Sequence, residues 1–105
     1  GNNKNIVYGT FHYPTQVNSN GDGATVQITN PNTTFHKYSA IWNATYIQLL
    51  VDDVVFYTLA NNNKVPFNQN FFILLNVAMG GNFGGAVDPS FISDQMEIDY
   101  VRVYQ

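Results

Sequence analysis

Residues 45–58, TYIQLLVDDVVFYT, are two apolar runs set around the dipeptide Asp52-Asp53. Aspartate tolerates positive φ better than most residues other than glycine, so a two-residue turn between β-branched and aromatic runs reads as a hairpin. Strands are expected at Tyr46 to Val51 and Val54 to Leu59. Just upstream, FHKYSAIW (residues 35–42) predicts a strand that places His36, Tyr38, Ala40 and Trp42 on one face and Phe35, Lys37, Ser39 and Ile41 on the other. The Tyr/Trp face is expected to be buried, with Trp42 part of the core. Downstream, FFILLNVAMGG (residues 71–81) is apolar on both faces until Asn76. It reads as a central strand over Phe71 to Ala78, covered by two layers and ending in a flexible segment, Gly80 to Gly85. Further strands are expected at Ile6 to Tyr13, Ala24 to Thr29 and Gln95 to Tyr104. No stretch of useful length carries helical periodicity and no repeat is visible, so the pattern predicts a single all-β domain of consecutive antiparallel strands.

The bulk properties bound the function. The chain has 105 residues and 11.8 kDa, which leaves room for one core. Hydrophobic residues make up 45% and charged residues 10%, so the solvated surface must be built largely from neutral polar residues, with Asn the most abundant. Four cations against seven anions, with a pI near 4.9, give no footprint for nucleic acid, which needs clustered Lys and Arg. No run of about 18 apolar residues is present for a membrane span, and no signal-peptide pattern opens the chain. The absence of Cys excludes disulfides, thiolate metal sites and a Cys nucleophile.

Five landmarks taken in order carry a specific resemblance: VYGTFHYP (residues 7–14), FHKYSAIW (35–42), YIQLLVDDVVFYT (46–58), PFNQNFFILLNVAMGGNFGG (66–85) and MEIDYVRVYQ (96–105). Together they resemble the second half of glycoside hydrolase family sixteen, closest to its laminarinase-like endo-β-1,3-glucanases. The resemblance implies a concanavalin A-like antiparallel jelly-roll β-sandwich, present as its second half, whose concave face forms an open cleft for a β-glucan chain. It also implies a secreted or extracellular protein. In that family the catalytic strand has the pattern E-x-D-x-(x)-E and lies just before the segment resembling residues 1–8. No catalytic residue is therefore expected on this chain. Glu97-Ile98-Asp99 copies the start of that pattern, but Val101 and Arg102 follow where a second carboxylate would be needed. Strand geometry would set Glu97 and Asp99 about 7 Å apart, whereas retaining hydrolysis needs two carboxyl groups about 5–5.5 Å apart.

Several residues are candidates for substrate binding. His12 corresponds to a cleft-lining His of the laminarinase-like enzymes, and by strand period it shares a face with Tyr8 and Thr10. It could hydrogen-bond a sugar hydroxyl or hold a catalytic carboxylate. Asn76 interrupts an apolar strand, and a buried amide needs a partner: a sugar, a backbone group or water. Asn82 and Phe83 lie in GGNFGG, where relatives often carry GGNWPG, so Phe83 could stack on a pyranose face. His36 has its better reading as the structural opening of a strand. Asp99 corresponds to an acidic residue that often ligates a structural calcium in the family, though calcium wants six to eight oxygens and one carboxylate is not a tight site. No other cofactor is implied.

An isolated half of such a sandwich would expose apolar faces and bare strand edges. The expected partners are a β-glucan polysaccharide and either a complementary N-terminal half or a second copy of the chain; nucleic acid and membrane are not expected. The function reading is part of a retaining β-glucan endo-hydrolase, inactive by itself, with its carboxylates supplied from elsewhere. The alternative is a non-catalytic glucan-binding or self-associating β-sandwich.

Overall fold

The hairpin expected around Asp52-Asp53 is formed. Both residues hold positive φ, 50° and 67°, as a two-residue turn between right-twisted strands requires. The computed structural model describes residues 3–14, 21–63, 65 and 67–105. Among these it contains β1 (Ile6–Phe11), β2 (Asp22–Gln27), β3 (Tyr38–Trp42), β4 (Tyr46–Val51), β5 (Val54–Ala60) and one helical turn, α1 (Gly81–Gly84). The architecture is all-β and every pairing is antiparallel. The strands β1 and β2 form one sheet, and β3-β4-β5 form another with β4 in the middle.

The described residues divide into two compact units, Asn3–Phe72 and Ile73–Gln105. All five strands belong to the first. Its core is built from Ile28, Ile47, Leu50, Val51, Leu59 and Val65. The β1-β2 ribbon approaches the three-stranded sheet at Gly9, where a Cβ would fall 2.5 Å from Leu49 Cδ1 and 2.7 Å from Phe56 Cζ. Only a residue without a side chain allows the layers this close. Phe56 occupies that place because the β4-β5 register slips by one residue: Leu49 pairs with Tyr57 but Leu50 with Val55. Rings of Phe11, Tyr13, Tyr57 and Phe67 continue the contact, with Phe11 and Phe67 centroids 5.3 Å apart in an edge arrangement.

The β3-β4 turn is held by Asn43, whose Oδ1 accepts hydrogen bonds from Thr45 N (2.8 Å), Thr45 Oγ1 (2.9 Å) and Tyr46 N (3.0 Å). Buried Asn61 donates from Nδ2 to the Asn43 carbonyl at 2.8 Å, which satisfies a polar group that burial would otherwise penalise.

Two expectations need correction. The Tyr38/Trp42 face is not buried: Tyr38 is 58% and Trp42 46% exposed. The strand that carries them is an edge strand, so the face has neighbours on one side only. Trp42 is nevertheless anchored, because its Nε1 donates to the Phe67 carbonyl at 2.7 Å and its ring meets Phe71 edge-on. The strands expected at 71–78 and 95–104 are absent. Both segments lie in no ladder, and Leu74, expected at the centre of a covered strand, is 75% exposed. A β-strand exists by virtue of a neighbouring backbone, and no other described segment pairs with these two.

Candidate functional site

The side chains that could meet a ligand lie on the outward face of the β1-β2 ribbon. Strand alternation turns Val7, Gly9 and Phe11 inward and leaves Tyr8, Thr10 and the following His12 outward and exposed. On β2, Asp22, Ala24 and Val26 are half-buried while Gly23, Thr25 and Gln27 are exposed. Register sets Tyr8 opposite Thr25 and Thr10 opposite Gly23. Between them lies a shallow depression of ≈ 160 Å³ lined by Tyr8, Thr10, Gly21, Gly23, Ala24 and Thr25.

The glycines form its floor for a steric reason. At Gly23 a Cβ would sit 2.0 Å from the Gly9 carbonyl oxygen, inside the strand pairing itself. At Gly21, with φ of 90°, it would meet Thr10 Cγ2 at 2.3 Å and His12 Cε1 at 2.9 Å. His12 therefore lies against the end of the same depression that Tyr8 lines, and the structure brings these two sequence candidates onto one surface. That surface offers a phenol, two threonine hydroxyls and an imidazole, polar groups suited to hydroxyl-rich ligands.

Behind this face stands a network that sequence reasoning missed. Asp22 accepts hydrogen bonds from Tyr13 Oη at 2.7 Å and from Tyr57 Oη. Two phenolic donors stabilise the carboxylate and hold its pKa below the usual range. Burial, followed by the hydrogen bond to Asp22, pushes the Tyr57 phenol up to about 12. The Tyr13 phenol is raised by the same carboxylate. An available signal was the Gly-Asp-Gly sequence at 21–23, since glycines inside a strand mark close backbone approach.

The remaining candidates lie in the second unit. Asn76 is exposed in a segment outside any strand or helix, so its amide carries no burial cost of the kind the sequence suggested. Asn82 and Phe83 lie in α1 and are exposed, Phe83 by 67%. Glu97 and Asp99 are both exposed, and the Glu97 carboxylate accepts a hydrogen bond from Gln95 Nε2. Among the described residues no three His, Cys, Asp or Glu side chains gather to hold a metal ion. A calcium ion at Asp99 would have to draw its other ligands from backbone carbonyls, water or residues outside this set. The other acidic side chains are locally engaged: Asp52 by His36 and the Lys37 amide, Asp53 by Lys37 Nζ, Asp88 by Ser90 and Asp94 by the Gln95 amide.

The sequence profile described as Glycosyl hydrolases family 16 matches residues 1–102. The chain belongs to this family. As a member of glycosyl hydrolase family 16 it takes the jelly-roll β-sandwich as its fold class, in agreement with the all-β antiparallel sheets. It is 33% identical to the beta-glucanase of Rhodothermus marinus, an alignment covering 100% of this chain and 41% of that protein. It is 34% identical to glucan endo-1,3-beta-glucosidase A1 of Niallia circulans over 94% of this chain and 17% of the relative. It is also 32% identical to the keratan-sulfate endo-1,4-beta-galactosidase of Sphingobacterium multivorum over 99% of this chain and 26% of that enzyme. The family-16 chain thus spans less than half the length of each of these relatives. No solved structure matches it.

Proposed function

We propose that this chain is part of a retaining endo-acting β-glucan hydrolase of the β-1,3-glucanase type, and that it supplies one wall of the glucan cleft. The observation that carries the reading is the shared exposed face of Tyr8, Thr10 and His12 beside a glycine-floored depression, on a chain whose family profile runs over residues 1–102. Hydroxyl and imidazole donors and acceptors around an open, shallow groove suit the equatorial hydroxyls of a polysaccharide.

The hydrolytic pair comes from a complementary N-terminal segment. Retention requires a nucleophile and an acid/base about 5–5.5 Å apart, and the single glutamate of this chain, Glu97, is engaged by Gln95. That same segment covers the apolar side chains left exposed here. The reading carries with it a secreted or extracellular location, since an enzyme of this kind would meet its polysaccharide outside the cell.

The test is a reducing-sugar assay on laminarin. The chain by itself should release no sugar, and release should appear when the complementary segment is joined or added. In the assembled enzyme His12→Ala should lower kcat/KM by up to about tenfold, the scale of one lost hydrogen bond to a neutral group. Turnover by the chain alone, abolished by Glu97→Gln, would sink the reading. Laminarin binding by the assembled protein without any turnover would replace the hydrolase with a non-catalytic binding module.

A further inference from the structure

His36 is enclosed on both sides by oxygens that can only accept. Its Nδ1 lies 2.7 Å from Asp52 Oδ2 and its Nε2 lies 2.9 Å from the Thr29 carbonyl oxygen. Its side chain is only 9% exposed, although Asp52 remains half open to solvent. A neutral imidazole has one N–H and one lone pair, so in this arrangement one nitrogen would point a lone pair at a carbonyl or a carboxylate. Only the doubly protonated ring makes both hydrogen bonds.

We propose that His36 is held as an imidazolium bridging Asp52 and Thr29, so that its proton is a pH-dependent clamp between the β4-β5 turn and the loop leading into β3. The turn side is fixed by two bonds to the Lys37 backbone: Lys37 N donates to the Asp52 side chain at Oδ1 (3.0 Å), and Asp52 N donates to the Lys37 carbonyl at 2.9 Å. Loss of the ring proton would therefore break one bond of a closed set.

The charged and titratable groups facing the ring are few. From the turn comes Asp52, with Asp53 beside it; Asp53 takes the neighbouring cation, Lys37 Nζ, at 2.5 Å. From the start of β3 comes Tyr38, its ring 6.5 Å from the imidazole, and from the loop come the backbone groups of Thr29 and Asn30. The Asp52 hydrogen bond is the largest influence on the ring and favours its charged form. The clamp is thus complete below the ordinary histidine value of about 6.5 and opens as pH rises through the higher value of the folded state. On the acid side it opens when Asp52, held below its usual 3.8, is protonated. These two limbs report one interaction.

The test is a pH titration of ring 15N and 1H shifts in the intact chain. The His36 resonances should show both nitrogens protonated at about pH 6.5, with a midpoint above that value. Asp52→Asn, which tolerates the positive φ of the turn, should move the midpoint down. As a second readout, the Tm of the wild-type chain should fall more from about pH 5 to about pH 8 than that of His36→Gln. A neutral His36 ring at about pH 6, or a midpoint that Asp52→Asn leaves unmoved, would overturn the clamp.

Discussion

Asp22 is a carboxylate gripped by two phenols, and its chemistry has two pH limbs. Its folded pKa is depressed, so the stability it lends is present above its ordinary 3.8 and drains away as pH falls through the folded value. Tyr57 runs the other way. Raised from 10.0 to about 12, it lends stability that is whole below 10 and is lost as pH climbs toward 12. Tyr57→Phe should cost about 1 kcal/mol at neutral pH by urea denaturation, low for a hydrogen bond to a charged group because the site is half-buried. It should also remove the last-ionising phenol from an ultraviolet titration, and an unchanged titration would show that Tyr57 does not lean on Asp22. His12 and Tyr8 were legible at this scale because strand period alone puts them on one face. The Asp22 grip was not, since it joins Tyr13, Asp22 and Tyr57 across sequence separations of 9 and 35 residues that no local pattern encodes.

Among the elements, the β4-β5 hairpin was the most readable and Asp53 shows why. A two-residue turn between twisted strands demands positive φ, and Asp53 adopts 67°. Asp53→Val should be less stable than Asp53→Gly by about 1–2 kcal/mol, because a β-branched residue pays the left-handed penalty that glycine escapes. Both variants lose the surface ion pair with Lys37, so their difference isolates the backbone. Equal melting curves would mean that the turn has another shape. Strands β4 and β5 were found almost residue for residue since their pairing is local. The segments 71–78 and 95–104 have equally strong β composition and form no ladder. Composition records what a segment is able to pair with; pairing itself depends on a partner that a single chain's pattern cannot name. The Tyr38/Trp42 face was misread because periodicity distinguishes two faces without saying whether either is covered: on this edge strand Ile41, on the opposite face, is 45% exposed as well.

At the scale of the whole molecule, the exposed large side chains include Phe72, Ile73, Leu74, Leu75 and Val77. Soluble monomers rarely display so much apolar surface in one stretch. The chain alone should bind a dye such as ANS and sediment above its 11.8 kDa mass. Addition of the complementary segment should give a one-to-one complex that no longer brightens the dye. A dye-silent monomer with a single cooperative melt would leave the proposed partner nothing to cover.

Residues 71–79, FFILLNVAM, contain no charge and no proline. Such a stretch is also the raw material of cross-β fibrils, in which identical copies stack in register and their side chains mesh as a dry zipper. Any surface that covered residues 71–79 would therefore also act as a gatekeeper against fibre growth. If the proposed complementary segment provides that cover, a variant that pairs with it more weakly should precipitate before it loses turnover.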